Sequence, residues 1–272
     1  MPDLATLLPM LALLMAIGAF AGVIAGLLGV GGGIVLVPAF FYAFSHLGYD
    51  GPELMRVCLA TSLATIIVTS ARSVMAHNKK GAVEWDVLRR WWPFIGTGAV
   101  LGMLVVSSLR STTLQIIFGV LALGAGLYMA LGKSHWRLGQ TMPVGAKRAG
   151  VGAAVGFFSV LMGIGGGSFG VPLMTLYNIT IHRAVATAAG FGIIIAVPSV
   201  VGFLFVHIDN APPFSVGAVN LPAFGVVIAM TLLTAPIGAG LAHKMDPAPL
   251  KRVFAVFITL VALNMLRKVM MG

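Results

Sequence analysis

The amino-acid sequence predicts an all-α integral membrane protein, a polytopic bundle of about ten helical elements. These form two inverted five-helix repeats with two glycine-interrupted short helices. Three observations predict it. First, 59% of the 272 residues are hydrophobic and only 9% are charged, where a soluble domain carries about 25% charged residues. The 17 basic and 7 acidic side chains cannot cover the surface of a soluble body of this length. Second, apolar runs long enough to cross a bilayer recur along the chain. Third, one glycine-rich motif is written twice, half a chain apart. Together these exclude a soluble enzyme, a disordered chain and a small disulfide scaffold. The net charge of +10 fits basic cytoplasmic loops rather than a nucleic-acid partner. The single cysteine, Cys58, allows no intramolecular disulfide.

A helix needs roughly 20 apolar residues to cross a hydrocarbon core. The start, Met1-Pro2-Asp3, has no basic segment, so the run 4–28 reads as a span and not as a cleaved signal. The runs 57–76, 91–109, 113–131, 149–163, 184–206, 221–242 and 250–266 follow. Two more, 34–45 and 168–179, are short, and each comes directly after a glycine cluster, Gly29-Val30-Gly31-Gly32-Gly33 or Gly163-Ile164-Gly165-Gly166-Gly167. Lipid tolerates an interrupted helix only where its freed backbone is buried in protein or lines a cavity. Ten crossings put Lys79, Lys80, Arg89 and Arg90, the mid-chain cluster Lys133, Arg137, Lys147 and Arg148, and Lys244, Lys251 and Arg252 on one side. The 207–220 loop, without Lys or Arg, falls on the other side with both termini. Eight crossings would split the basic loops, so the positive-inside rule prefers ten. Arg267-Lys268 runs against it.

Residues 18–38 and 152–172 superpose at an offset of 134. Among the identities are Gly18/Gly152, Gly22/Gly156, Gly29/Gly163, Gly31/Gly165, Gly32/Gly166, Gly33/Gly167 and Pro38/Pro172. Arg56…Ala60-Thr61 parallels Arg183…Ala186-Thr187, and Gly102, Leu114 and Phe118 recur as Gly238, Leu250 and Phe254. The chain therefore divides into a first transmembrane repeat (1–132), a cytoplasmic basic linker (133–148) and a second transmembrane repeat (149–272). An odd number of elements per repeat inverts the second copy, the construction of many secondary transporters with a site near the midplane.

The candidate site residues follow from that duplication. Gly31, Gly32 and Gly33, with Gly165, Gly166 and Gly167, stop one helix and start another. A new helix begins with unpaired N–H groups and about half a positive charge, which suits an anion. Two such ends arriving from opposite faces would converge on one buried anion, and Ser168 adds a hydroxyl. The plainer alternative is close helix packing, which Gly18, Gly22, Gly152 and Gly156 also serve. Thr61, Ser62 and Thr187 could hydrogen-bond the anion, satisfy broken backbone or bond the preceding turn. Arg56 and Arg183 stand at repeat-related positions where they could draw an anion to each vestibule or snorkel from helix ends. Arg72, about 16 residues into its helix, reads as lying close to the cytoplasmic interface, with a ligand role as the alternative. Gly165-x-Gly167-x-x-Gly170 matches the dinucleotide fingerprint only formally, since no acid follows within about 20 residues. All seven acids lie in termini or loops, which argues against a cation pump. The six histidines are scattered at helix ends without metal-ligand spacing. No cluster of ionisable groups supports an enzyme, and neither a metal nor a cofactor is expected.

Gly22…Gly29-x-Gly31-Gly32-Gly33-x₄-Pro38 with Ala60-Thr61-Ser62, and the repeat Gly156…Gly163-x-Gly165-Gly166-Gly167-x₄-Pro172 with Ala186-Thr187, resemble the TauE/SafE family of membrane permeases, the sulfite exporter family. His77…Gly81-Ala82-Val83 resembles a further family feature, and the likeness runs from about residue 15 to 266. The second copy has Ala188 where the first has Ser62, a departure from the motif. The resemblance implies a multi-pass permease of the bacterial inner membrane for small sulfur-containing anions, such as sulfite, sulfoacetate or other sulfonates, more often exporting than importing them. Its partners would be that anion and the lipid bilayer, with a coupling proton or ion and a homo-oligomer left open, and no nucleic acid. A passive anion channel and a membrane subunit of a larger transport complex are the competing readings.

Overall fold

The computed structural model describes residues 4–28, 32–131, 136–242 and 247–271. The described chain is helical almost throughout, as a backbone in lipid must be to satisfy its own polar groups. The first repeat runs α1 (Leu4–Leu28), α2 (Gly33–His46), α3 (Leu54–Asn78), α4 (Trp85–Ser108) and α5 (Ser111–Leu131). The second runs α6 (Gly145–Leu161), α7 (Gly167–Leu176), α8 (Ile181–Phe203), α9 (Leu221–Ala242) and α10 (Pro247–Met271). Before α9 a small antiparallel ribbon pairs β1 (Ser215–Val216) with β2 (Val219–Asn220). The ten helices expected from the sequence are present, and the two short ones are α2 and α7.

Hydrogen bonds between loops define two faces. On one face, Ser111 N–H donates to the Pro52 carbonyl at 2.7 Å, and Asp209 N–H donates to Glu53 Oε2 at 2.7 Å. Lys268 Nζ, near the end of α10, donates to Ser45 Oγ at 3.4 Å. On the other face, Arg183 Nε lies 2.9 Å from Glu84 Oε1, Leu138 N–H donates to the Leu176 carbonyl at 2.8 Å, and Asn178 Nδ2 donates to Gln140 Oε1 at 3.1 Å. This second face gathers Lys79, Lys80, Arg89, Arg90, Arg137, Lys147, Arg148 and Arg183. The positive-inside rule assigns it to the cytoplasm, and we call it the basic face. Lys133, Lys244, Lys251 and Arg252 lie outside the residues whose side chains are described.

The glycine breaks are turning points. Helix α6 leaves the basic face, the chain folds back at Gly163–Gly166, and α7 returns to the basic face at Leu176. Helix α1 runs parallel to α9, and α2 ends on the opposite face at His46. Gly32 sits back beside Ala21 and Ala25 of α1. Each pair is thus a hairpin with one long and one short arm, and α7, with 10 residues, rises only about 15 Å. Each hairpin returns the chain to the face it left, as two crossings would. The sidedness therefore matches the ten-crossing scheme, although six helices run from face to face.

The helix pairing has a pseudo-two-fold. Helix α1 packs on α9 as α6 packs on α4, α2 on α3 as α7 on α8, and α3·α8 and α5·α10 map onto themselves. The correspondence holds residue by residue. Gly18 abuts Val227 and Met230 of α9, and its mate Gly152 abuts Trp91 and Phe94 of α4. Gly22 meets Thr231 as Gly156 meets Ile95, and Gly238 meets Val23 as Gly102 meets Phe157. Small residues let these backbones approach closely, where lipid supplies no hydrophobic drive between helices. The packing role expected for Gly18, Gly22, Gly152 and Gly156 is what these four do.

At Gly156 a Cβ would overlap the Ile95 carbonyl oxygen, whereas Gly124 has nothing within 4 Å. Gly156→Ala should lose about 1–3 kcal/mol by overpacking, read as a lower unfolding temperature in detergent. Gly124→Ala should match or exceed the wild type.

Candidate functional site

Glycine is required at the breaks. Gly32 has φ of 70° and Gly163 has φ of 59°, in the left-handed region that side chains with a Cβ rarely occupy. Neither α2 nor α7 has a side-chain cap, so the first N–H groups of each helix are left to backbone, water or a ligand. The two breaks meet inside the protein. A Cβ on Gly33 would lie 2.7 Å from the Gly163 carbonyl oxygen and 3.0 Å from Ile164 Cα. The space between them is filled by the fully buried Ile66. Its Cδ1 is 3.0 Å from the Cβ position of Gly33, and its Cγ2 is 3.2 Å from that of Gly165. Convergence of the clusters was expected, but an apolar side chain fills the space between them. Gly31 lies outside the described residues.

A cavity of about 290 Å³ adjoins the second cluster alone. Gly165, Gly166 and Gly167 form its floor, Ala188 and Ala189 of α8 one wall, and Thr231, Leu232, Ala235 and Pro236 of α9 another. Helix α3 contributes Thr69, Ser70, Arg72, Ser73, Ala76 and His77. Because His77 is in the last turn of α3, the cavity opens on the basic face. Its lining contains no carboxylate and one permanent cation, Arg72. No described carboxylate lies within ion-pair distance of that guanidinium. Six residues separate Arg72 from the end of α3, about 9 Å along the axis. The cavity therefore offers an anion three attractions: the N-terminus of α7, a free guanidinium and a row of hydroxyls.

Arg72, read from the sequence as interfacial in preference to a ligand, lines the cavity; its counterpart in α8 is Pro198, so the repeat does not mark it. The available signal was different: it is the arginine of α3 with no carboxylate nearby in sequence.

The other expected site residues hold the backbone together. Thr61 Oγ1 accepts from the Asn220 N–H at 3.0 Å, just before α9. Its mate Thr187 accepts from the Glu84 N–H at 2.9 Å, just before α4. The two threonines lie toward opposite faces, and each receives a helix start from the other repeat. Ser62 Oγ donates to the Gly163 carbonyl at 2.7 Å, satisfying backbone freed by the break. Ala188, at the matching position, cannot do so. Arg56 ion-pairs with Glu53, and its Nε donates to the Leu109 carbonyl at 3.0 Å. Arg183 is paired with Glu84. Both arginines are tied to loops on opposite faces. Ser168, beside the cavity floor, keeps a buried Oγ with no hydrogen-bond partner. Among the described residues, no group of three or more His, Cys, Asp or Glu could hold a metal ion.

The family model described as "Sulfite exporter TauE/SafE" matches residues 14–265. A "Probable membrane transporter protein" of Haemophilus influenzae is 31% identical over 260 residues, covering 94% of this chain and 98% of that one. A protein of Methanocaldococcus jannaschii with the same description is 25% identical, with 94% and 96% covered. One of Bacillus subtilis is 30% identical over 195 residues, 65% of this chain and 71% of that one. No solved structure matches the chain.

Removing the acceptor at Thr61 or Thr187 strands a buried N–H, at about 1–3 kcal/mol. Thr61→Val and Thr187→Val should therefore lower the unfolding temperature, and the serine variants should restore it. Ligand affinity, measured on the folded fraction, should not move.

Proposed function

The chain belongs to the sulfite exporter TauE/SafE family and is a multi-pass membrane transporter; from that premise we propose that it carries a small sulfur-containing anion, sulfite or an organosulfonate, out across the bacterial inner membrane. The observation that supports this most is the cavity chemistry: a helix N-terminus, hydroxyls and Arg72, with no carboxylate in the lining. Such a site attracts a compact oxyanion and sets no carboxylate against it. The anion sits over Gly165–Gly167, with Arg72 reaching it from α3 and Ser168 turning toward it.

Transport proceeds by alternating access in which the inverted repeats 1–132 and 149–272, joined by the basic linker 133–148, exchange conformations while their interleaved helix pairs stay packed. The carrier reading is favoured over a passive channel by Ile66, which stands fully buried between the two glycine breaks beyond the cavity floor. A continuous pore has no room for that side chain.

Purified protein in liposomes tests the reading. Sulfite or sulfoacetate flux should saturate with concentration, without any partner ATPase. No saturable flux of either under any imposed ion gradient would overturn it. Arg72→Gln removes hydrogen bonds to a charged ligand, about 1.5–3 kcal/mol. The half-saturation concentration on the basic face should then rise roughly 10- to 150-fold, while Arg72→Lys keeps part of the affinity.

A further inference from the structure

Ser159, in α6, is the polar oddity of the core. The residue is fully buried and its Oγ has no hydrogen-bond partner, a condition that folded interiors avoid. The repeat gives it a place. At the offset of 134, Ser159 stands where Ala25 stands in the first half, and Ala25 lines the open cavity.

The rest of that lining can be carried across the pseudo-two-fold in the same way. Ala188 maps to Ser62, Ser73 to Ser199, Ala235 to Ala99, and Gly166–Gly167 to Gly32–Gly33. Ser62, Ala99, Ser159 and Ser199 are all at 0% exposure. The serine-lined part of the image is thus packed shut. Two contacts hold it closed: Gly33 against the Gly163 carbonyl, and the Ser62 hydroxyl donating to that same carbonyl.

Resting on the carrier reading above, we propose that Ser159 belongs to a second vestibule, closed in this conformation and opening toward the face opposite the basic one, where its hydroxyl binds the transported oxyanion. Opening parts Gly33 from Gly163 and frees Ser62 Oγ, so two serine hydroxyls and the first N–H groups of α2 meet the anion. No cation joins them, because the image of Arg72 is Pro198. The site is therefore weaker when it faces outward than when it faces the basic side.

Sided thiol labelling tests this without needing the substrate. Ser159→Cys and Ala25→Cys are made separately in a Cys58→Ala background, placed in vesicles of known orientation and treated with a membrane-impermeant thiol reagent. Ser159→Cys should be modified from the face opposite the basic one, with loss of labelling when the reagent meets the basic face alone. Ala25→Cys should show the reverse. A Ser159→Cys protein that is inert from both faces, or modified only from the basic face, while Ala25→Cys reacts as expected, would overturn the proposal. Inert Ala25→Cys would instead sink the open cavity and the anion site built on it. Ser199→Cys is the second reporter should Ser159→Cys fail to fold, and it must show the same sidedness as predicted for Ser159.

Discussion

A helix broken inside a bilayer leaves N–H and C=O groups that hydrocarbon cannot satisfy, and this chain contains two such breaks. Much of what surrounds them answers that constraint. The second break is covered by Ser62, whose hydroxyl takes up the Gly163 carbonyl. The first is pressed against the second at Gly33. The N-terminus of α7 stays open on the floor of a cavity whose only permanent cation is Arg72. The site exists where the backbone's own accounting stops.

The same constraint explains why polar side chains that read as ligands are ties. Asn220 and Glu84 each precede a long helix, and each has an N–H that needs an acceptor. Thr61 and Thr187 provide it across the repeat boundary. Buried hydroxyls at symmetric positions are what a two-fold anion site would use. They are equally what a two-fold set of helix starts requires, and here the helix starts have them.

The architecture was legible in the residues to an unusual depth. Glycines at a constant offset marked the close-packing faces of α1 and α6, because a close backbone approach demands glycine at both copies; that α9 and α4 are the partners came from the structure. The described arginines and lysines of the basic loops gather on one face, as expected, since each hairpin preserves parity. The site was less legible. Repeat logic weights what occurs twice, and Arg72 occurs once. Nor does composition reveal that Ile66, opposite Gly192 in the pseudo-two-fold, closes the gap between the breaks. That depends on which of two symmetric spaces the chain holds open.

The interleaved pairing also bears on how the chain is made. Helix α1 has its glycine-fitted partner in α9, and α4 has its partners in α6 and α8, all of them in the second repeat. The first repeat, on entering the membrane, therefore carries two small-residue grooves with nothing to fill them. They wait in the lipid until the second half is inserted upside down beside them. This is the pairing that two separate, oppositely inserted copies of a five-helix ancestor would have made with each other.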